Sequence, residues 1–384
     1  VQSESSVVPL IAEELKGLTP FLRALDDDAG SGDAQGPQFP RKPCQDGGGP
    51  SCSRLKKTFH LPDATAGQQQ ERDMAFETMA LRRRSILGGL VGAGLAAPAW
   101  AQLARPGFTA PNGACDCHHH IYDTRWTYAP EAVLRPPPAT VADYRAYQRQ
   151  LGISRSIIVT PSSYRFNNEP TTDALRQMGD RARGVAVVPL DVPEAELRRL
   201  HAAGYRGVRV QTAAGNPHTV DAIAPLAKRI APLGWHIQLN LSAGEYAAQE
   251  KVLLGVPVPL IVDHLANIPG EEGVKAPAYA TLRRLLDTGR HWIKISAPNT
   301  LSQSGPPAYA DRSAIALALI AAAPERCLWG SNWSFPSDNP KPGPVLVLDI
   351  LGQWIPDPGL RHRVLVENPE RAYGFDPARR PAPP

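Results

Sequence analysis

From Pro111 onward, short β-branched or apolar runs alternate with helical patterns, and eight such runs fit into about 265 residues. The runs cover 114–123, 154–161, 183–189, 205–211, 236–240, 260–266, 292–296 and 327–333. Between them, 141–151, 171–182, 193–203, 221–233, 243–254, 278–287 and 312–323 place apolar residues at three- and four-residue spacing. Gly152, Gly204 and Gly234 stand where helices end, and Pro193 stands at a first turn. The rhythm predicts an α/β fold, a (β/α)8 TIM barrel over 111–376. An open doubly wound sheet is the alternative, but the Gly-rich phosphate loop it more often carries after its first strand is missing. In a barrel the chemistry sits at the C-terminal ends of the strands, so those positions are read for function.

The chain before the barrel has another character. The 32 Gly and 40 Pro of the whole chain must sit in loops or disorder, and residues 26–53 are Gly/Pro/Asp-rich with few large apolar side chains. Residues 79–101 join Arg82, Arg83 and Arg84 to a weakly apolar, Gly-rich stretch and an Ala99-Trp100-Ala101 cleavage pattern. Arg83-Arg84-Ser85-Ile86-Leu87 resembles the twin-arginine export motif. The expectation is a signal peptide at 79–101, a linker at 102–110 and a Pro-rich tail at 377–384, with 1–78 a disordered extension and an over-long reading of the gene. The twin-arginine export machinery is then a partner, the location is periplasmic or secreted, and no stable membrane anchor remains after cleavage. A net charge of +4 over 384 residues gives no electrostatic case for nucleic acid. Five cysteines without paired metal spacing read as free thiols, mostly buried.

Polar residues cluster at the strand ends. Asp116, His118 and His120 alternate along the first strand, so they are expected to face the barrel mouth together, with Cys117 and His119 turned outward. His264 ends the sixth strand, and Asn332 lies at the end of the eighth, between Trp329 and Trp333. Arg209, in the fourth strand, is costly to bury unless paired. It suits a substrate carboxylate or an internal ion pair. Ser162, Tyr164, Asn168, Gln238 and Tyr128 are uncharged hydrogen-bonding groups placed to orient a polyoxygenated small molecule.

Together the segments DCHHHIYD (116–123), GVR (207–209), IVDH (261–264), LWGSNW (328–333) and ENPERAYGF (367–375) resemble the amidohydrolase superfamily. They are most similar to its amidohydrolase-related branch, which includes 2-pyrone-4,6-dicarboxylate lactonase and sugar-acid lactone enzymes. The resemblance implies a TIM-barrel hydrolase of lactones, with His118, His120, His264 and Asn332 in the catalytic positions. Where the family carries an aspartate on strand eight, as base or metal ligand, this chain has Asn332. Where the lactonase has arginines after the strand-six histidine and on strand seven, this chain reads Asn267 and Ala297-Pro-Asn299-Thr300, which points to a less charged substrate.

Three functional readings follow. In the first, the protein is a cofactor-free hydrolase of a cyclic ester, turning over through a histidine that titrates near neutrality. In the second, His118, His120 and His264 hold one divalent metal such as zinc. In the third, the barrel has lost its base with the aspartate and binds ligands without turnover.

Overall fold

The computed structural model describes residues 105–213, 215–338 and 341–382. The expected extension and signal peptide, and the linker up to residue 104, lie outside the described residues. Eight parallel strands form a sheet in the order β1 to β8: Cys115–His119, Arg155–Val159, Ala182–Ala186, Tyr205–Gln211, His236–Asn240, Leu260–Val262, Trp292–Lys294 and Cys327–Leu328. The ring closes where Cys117 N donates to Trp329 O (2.9 Å) and His120 N donates to Trp333 O (2.8 Å). This is the expected TIM barrel. The eighth strand is much shorter than its apolar run, and the chain turns at Asn332, whose φ is +60°. Gly330 permits the approach to β1, since a Cβ there would sit 2.9 Å from the His118 backbone nitrogen.

The helices form where the periodicity placed them. Helix α1 (Val141–Leu151) begins at Thr140, which forms a capping box with Asp143, and ends at left-handed Gly152. Helices α2 (Glu169–Met178), α3 (Glu194–Ala202) and α4 (Ile223–Ile230) follow. The single helix expected over 243–254 is two, α5 (Ala243–Ala248) and α6 (Glu250–Gly255). They are followed by α7 (Pro277–Asp287), α8 (Ala310–Ala322), α9 (Leu346–Trp354), α10 (Pro358–His362) and α11 (Asn368–Tyr373). None of the described helices is long and apolar enough to cross a membrane. The main core lies between sheet and helices. A smaller cluster of Cys115, Cys117, Ile157, Val159, Val185, Ile261, Trp292 and Leu328 packs with Tyr373 and Phe375 from the last helix and its exit. Arg155 in β2 pins that helix through Glu370 at 2.7 Å. Its other nitrogen donates to the carbonyls of Asp376 and Arg379. Cys115, Cys117 and Cys327 are free and buried, as expected. Cys44 and Cys52 lie outside the described residues.

The face assignment of the first strand needs correction. The β1–β2 register shifts between Asp116 and His119, so alternation breaks there. Cys117 packs in the Tyr373 cluster, and Asp116 does not join the histidines. Its Oδ1 accepts from His118 N (3.1 Å) and Ser331 N (2.8 Å). Its Oδ2 accepts from Tyr144 OH (3.0 Å) and Ser331 Oγ (2.5 Å). His119 stacks on the Tyr144 ring of α1 at 3.5 Å, turned outward as expected.

Asp116 thus ties β1 to the segment that carries Asn332. Asp116→Ala should destabilise the fold by about 3 kcal/mol, because it leaves several buried donors unmatched. Urea denaturation of parent and variant measures this, and a change below about 1 kcal/mol would contradict the role given to Asp116.

Candidate active site

The ends of β1 and β6 bring His118, His120 and His264 together. The His118 ring lies 4.9 Å from that of His120 and 4.5 Å from that of His264, centroid to centroid. All three are buried. His120 Nδ1 faces the Val159 carbonyl at 2.9 Å. A carbonyl only accepts, so that nitrogen carries the hydrogen and Nε2 is left as an acceptor. His118 Nε2 stands 3.2 Å from it. His118 Nδ1 stands between Asp263 Oδ1 at 3.2 Å and Lys294 Nζ at 3.3 Å. His264 Nδ1 meets Ser296 Oγ at 2.9 Å.

Behind the histidines lies a buried ionic network. The Lys294 ammonium also reaches Gln238 Oε1 (2.7 Å) and Asp263 Oδ1 (3.2 Å). Asp263 Oδ2 accepts from Gln238 Nε2 (3.0 Å) and Arg209 Nη2 (3.3 Å). Burial alone would raise the Asp263 pKa, but Lys294, His118 and Arg209 outweigh it and hold the carboxyl well below its ordinary range. Burial lowers Lys294, with Asp263 opposing. Burial also pushes His118 far down, His120 down to about 3 and His264 down to about 4, so the imidazoles are neutral at pH 7. The expected near-neutral titration of a site histidine is therefore corrected: none of these three has the solvent contact that a charged imidazole needs.

Several candidate substrate ligands are held by the protein itself. Gln238 spends both ends of its amide on Lys294 and Asp263. Asn168 Oδ1 accepts from Thr160 Oγ1 and Val187 N, while Nδ2 donates to the Phe166 and Val187 carbonyls. It staples the end of β2 to the chain leaving β3. Tyr164 OH accepts from Asp123 N at 3.1 Å, and Tyr128 OH donates to Pro136 O at 2.8 Å. Their rings pack 5.3 Å apart, beside Tyr122. Ser162 and Arg209 keep exposure to a small recess, shared with Gln211 and His218. Asn332 is buried, and its backbone nitrogen donates to the His118 carbonyl at 2.9 Å.

Asp263, Lys294 and Ser296 escaped the sequence reading. Lys294 had a usable signal: a lysine in the apolar run W-I-K-I-S is as costly to bury as Arg209 in its own strand. Two cations, Arg209 and Lys294, face one carboxylate, Asp263, which leaves one net positive charge beside three neutral imidazoles.

The loop after β6 is strained. His264, Leu265, Ala266 and Asn267 all have φ between +51° and +56°, a region that costs L-residues roughly 1–2 kcal/mol each. The turn is braced from several sides. Asn267 Nδ2 donates to Asn240 Oδ1 (2.6 Å) and Leu241 O (2.8 Å). Buried Arg312, in α8, donates to the His264 carbonyl (2.8 Å) and to the Ile268 carbonyl.

The amidohydrolase family model described as Amidohydrolase matches residues 115–375, the whole barrel from β1 past its closing helix. The chain belongs to the amidohydrolase family. This amidohydrolase is a hydrolase, and its relatives share its full barrel. It is 31% identical to a 2-pyrone-4,6-dicarboxylate hydrolase of Comamonas testosteroni, over 72% of this chain and 96% of that one. It is 32% identical to a 4-sulfomuconolactone hydrolase of Rhizobium radiobacter, over 71% of this chain and 94% of that one. Among solved structures, the apo form of an Agrobacterium tumefaciens protein superposes with a TM-score of 0.66 at 28% identity, covering 71% of this chain and 99% of that one.

One donor atom each of His118, Asp263 and His264 lies within 4.8 Å of the others, so the amidohydrolase site has a set of ligands at metal spacing. The fit to a resident divalent ion is poor. The Lys294 ammonium already stands 3.2 Å from Asp263 and 3.3 Å from His118, and Arg209 adds a second positive charge. A dication would meet both.

Burial of neutral histidines makes stability depend on pH. In the unfolded chain histidine takes up a proton near pH 6.5, whereas His264 and His120 wait until about 4 and about 3. Between those values the unfolded state binds more protons, so stability is lost as pH falls. By pH 5 the loss should reach about 2 kcal/mol for each such histidine. Urea midpoints at pH 7 and pH 5 measure it, and an unchanged midpoint would show the imidazoles to be solvated.

Proposed function

We propose that this amidohydrolase hydrolyses a lactone or related cyclic ester of the sugar-acid or aromatic-degradation type. The observation that carries the reading is the set of three neutral imidazoles backed by the Asp263–Lys294–Arg209 network, with its one net positive charge. His264 takes the proton of the attacking water, and Asp263 stabilises the imidazolium that forms. His118 and Arg209 favour the oxyanion that develops on the lactone carbonyl. The ring C–O bond then breaks, and the proton on His264 passes to the leaving oxygen. Asn332 has no negative charge, so it orients substrate or water and does not serve as the base. The two named relatives, hydrolases of a pyrone and of a muconolactone, support the substrate class.

The reaction is proposed to need no metal, because Lys294 supplies the positive charge where a dication would sit. The twin-arginine-type segment at 79–101 supports export to the periplasm or beyond, as a further part of the proposal. A second reading, ligand binding without turnover, draws on Asn332 in place of an acid.

A panel of sugar-acid and muconate-derived lactones tests the reading. The parent should hydrolyse at least one member, and His264→Asn should lose about 100-fold or more in kcat/KM. Asn332→Ala should lose less. Binding of a lactone without hydrolysis, joined to gain of hydrolysis in Asn332→Asp, would establish the binding reading instead. Elemental analysis of the untreated protein should find little zinc, and stoichiometric zinc with activity lost on chelation would refute the metal-free mechanism. Replacing Arg83 and Arg84 by Lys should keep the protein in the cytoplasm, which cell fractionation would reveal.

A further inference from the structure

Arg312 is fully buried in the first turn of α8, and no carboxylate stands within ion-pair distance of it among the described residues. Burial lowers its pKa to about 10. A buried cation is costly, the neighbouring Asp311 offsets only part of that cost, and the groups that its guanidinium meets are backbone carbonyls. Its guanidinium nitrogens donate to His264 O and Ile268 O, the first residue of the left-handed turn and the residue just past its end. Those two bonds span the four-residue stretch of positive φ, while inside the turn Ala266 N donates to Asp263 O and Ile268 N to Leu265 O. Arginine suits this task because its planar fork carries two donors in fixed geometry, whereas lysine offers a single point. The turn sets the direction of the His264 side chain, which reaches Ser296 Oγ at 2.9 Å.

We infer that Arg312 is a positioning residue for the reaction: its fork holds residues 264–267 in the left-handed turn and so aims the His264 ring into the site. The inference rests on the reading of His264 as the proton-accepting group. Arg312 itself touches no substrate. Without the fork, the turn relaxes toward ordinary negative φ, and His264 leaves the position in which it meets both Ser296 and the His118 ring.

The test uses the full chain with Arg312→Met, Arg312→Lys and the double variant Arg312→Met with Ala266→Gly. Glycine adopts positive φ without steric penalty, so it stabilises the same turn by another route. Arg312→Met should lower kcat for the lactone about 100-fold with KM little changed, as expected for a misplaced group. Arg312→Lys should recover only part of the loss. Ala266→Gly should restore most of the kcat lost by Arg312→Met. A second readout needs no turnover: the side-chain nitrogen spectrum of 15N-labelled histidine, at one neutral pH. His264 should show a single tautomer in the parent, an averaged signal in Arg312→Met, and the parental signal again in the double variant. An unchanged kcat and His264 signal in Arg312→Met, or a loss that Ala266→Gly does not recover, would overturn the inference. A parent that turns over no lactone would remove the functional reading alone, and the spectra would then decide the role of Arg312. If Arg312→Met does not fold, Arg312→Lys with and without Ala266→Gly gives the same comparison.

Discussion

The Asp263 carboxylate is the point on which the barrel mouth depends. It is wholly buried, and a bare carboxylate there would be untenable. Gln238 from β5, Arg209 from β4 and Lys294 from β7 converge on it, and His118 from β1 packs against it. Each of these groups would be costly to bury alone. Together they satisfy one another and fix the relative positions of several strand ends. Such a network is weak evidence for stability and better evidence for a defined arrangement. Removing any one member leaves the others uncompensated.

That arrangement sets the electrostatics of the site. The cations keep Asp263 ionised, and they also discourage protonation of the neighbouring imidazoles. A site built in this way holds neutral histidines at pH 7 and favours negative charge in a ligand or transition state. The missing acid at Asn332 removes one more negative group from the same region. The balance suits an oxyanion better than it suits a dication.

Much of this was legible in the sequence, and the rest was hidden for definite reasons. The eight strand signals and the glycines at helix ends express local rules, and they appear where the pattern put them. The three histidines follow from strand ends in a barrel. The bulge in β1 does not follow from the pattern. Alternation predicts Asp116 inward, whereas its partners are Tyr144 on the next helix and Ser331, 215 positions along the chain. Asn168 and Gln238 read equally well as substrate ligands or as internal staples, because only tertiary contacts separate the two. The break between α5 and α6 at Gln249 is likewise carried by no Gly or Pro. Arg312 sat in an ordinary helical pattern, and nothing near it in sequence marked the turn it braces.

The seam between β1 and the chain after β8 has a consequence for how the protein comes into being. Asp116 finds Ser331 across 215 positions of sequence, and Gly113 N finds Pro381 O still farther on. Tyr373 and Phe375 complete the inner cluster from the same late stretch. On a ribosome, the first strand therefore waits through almost the whole synthesis of the barrel before its carboxylate gains the Ser331 donors. Contacts this distant in sequence make folding slow, because loop closure must precede the gain. The unfinished barrel is an open sheet with two bare edges, and an unpaired edge is where one chain recruits another. The last fifty or so residues therefore act as the clasp that turns an association-prone ribbon into a closed ring.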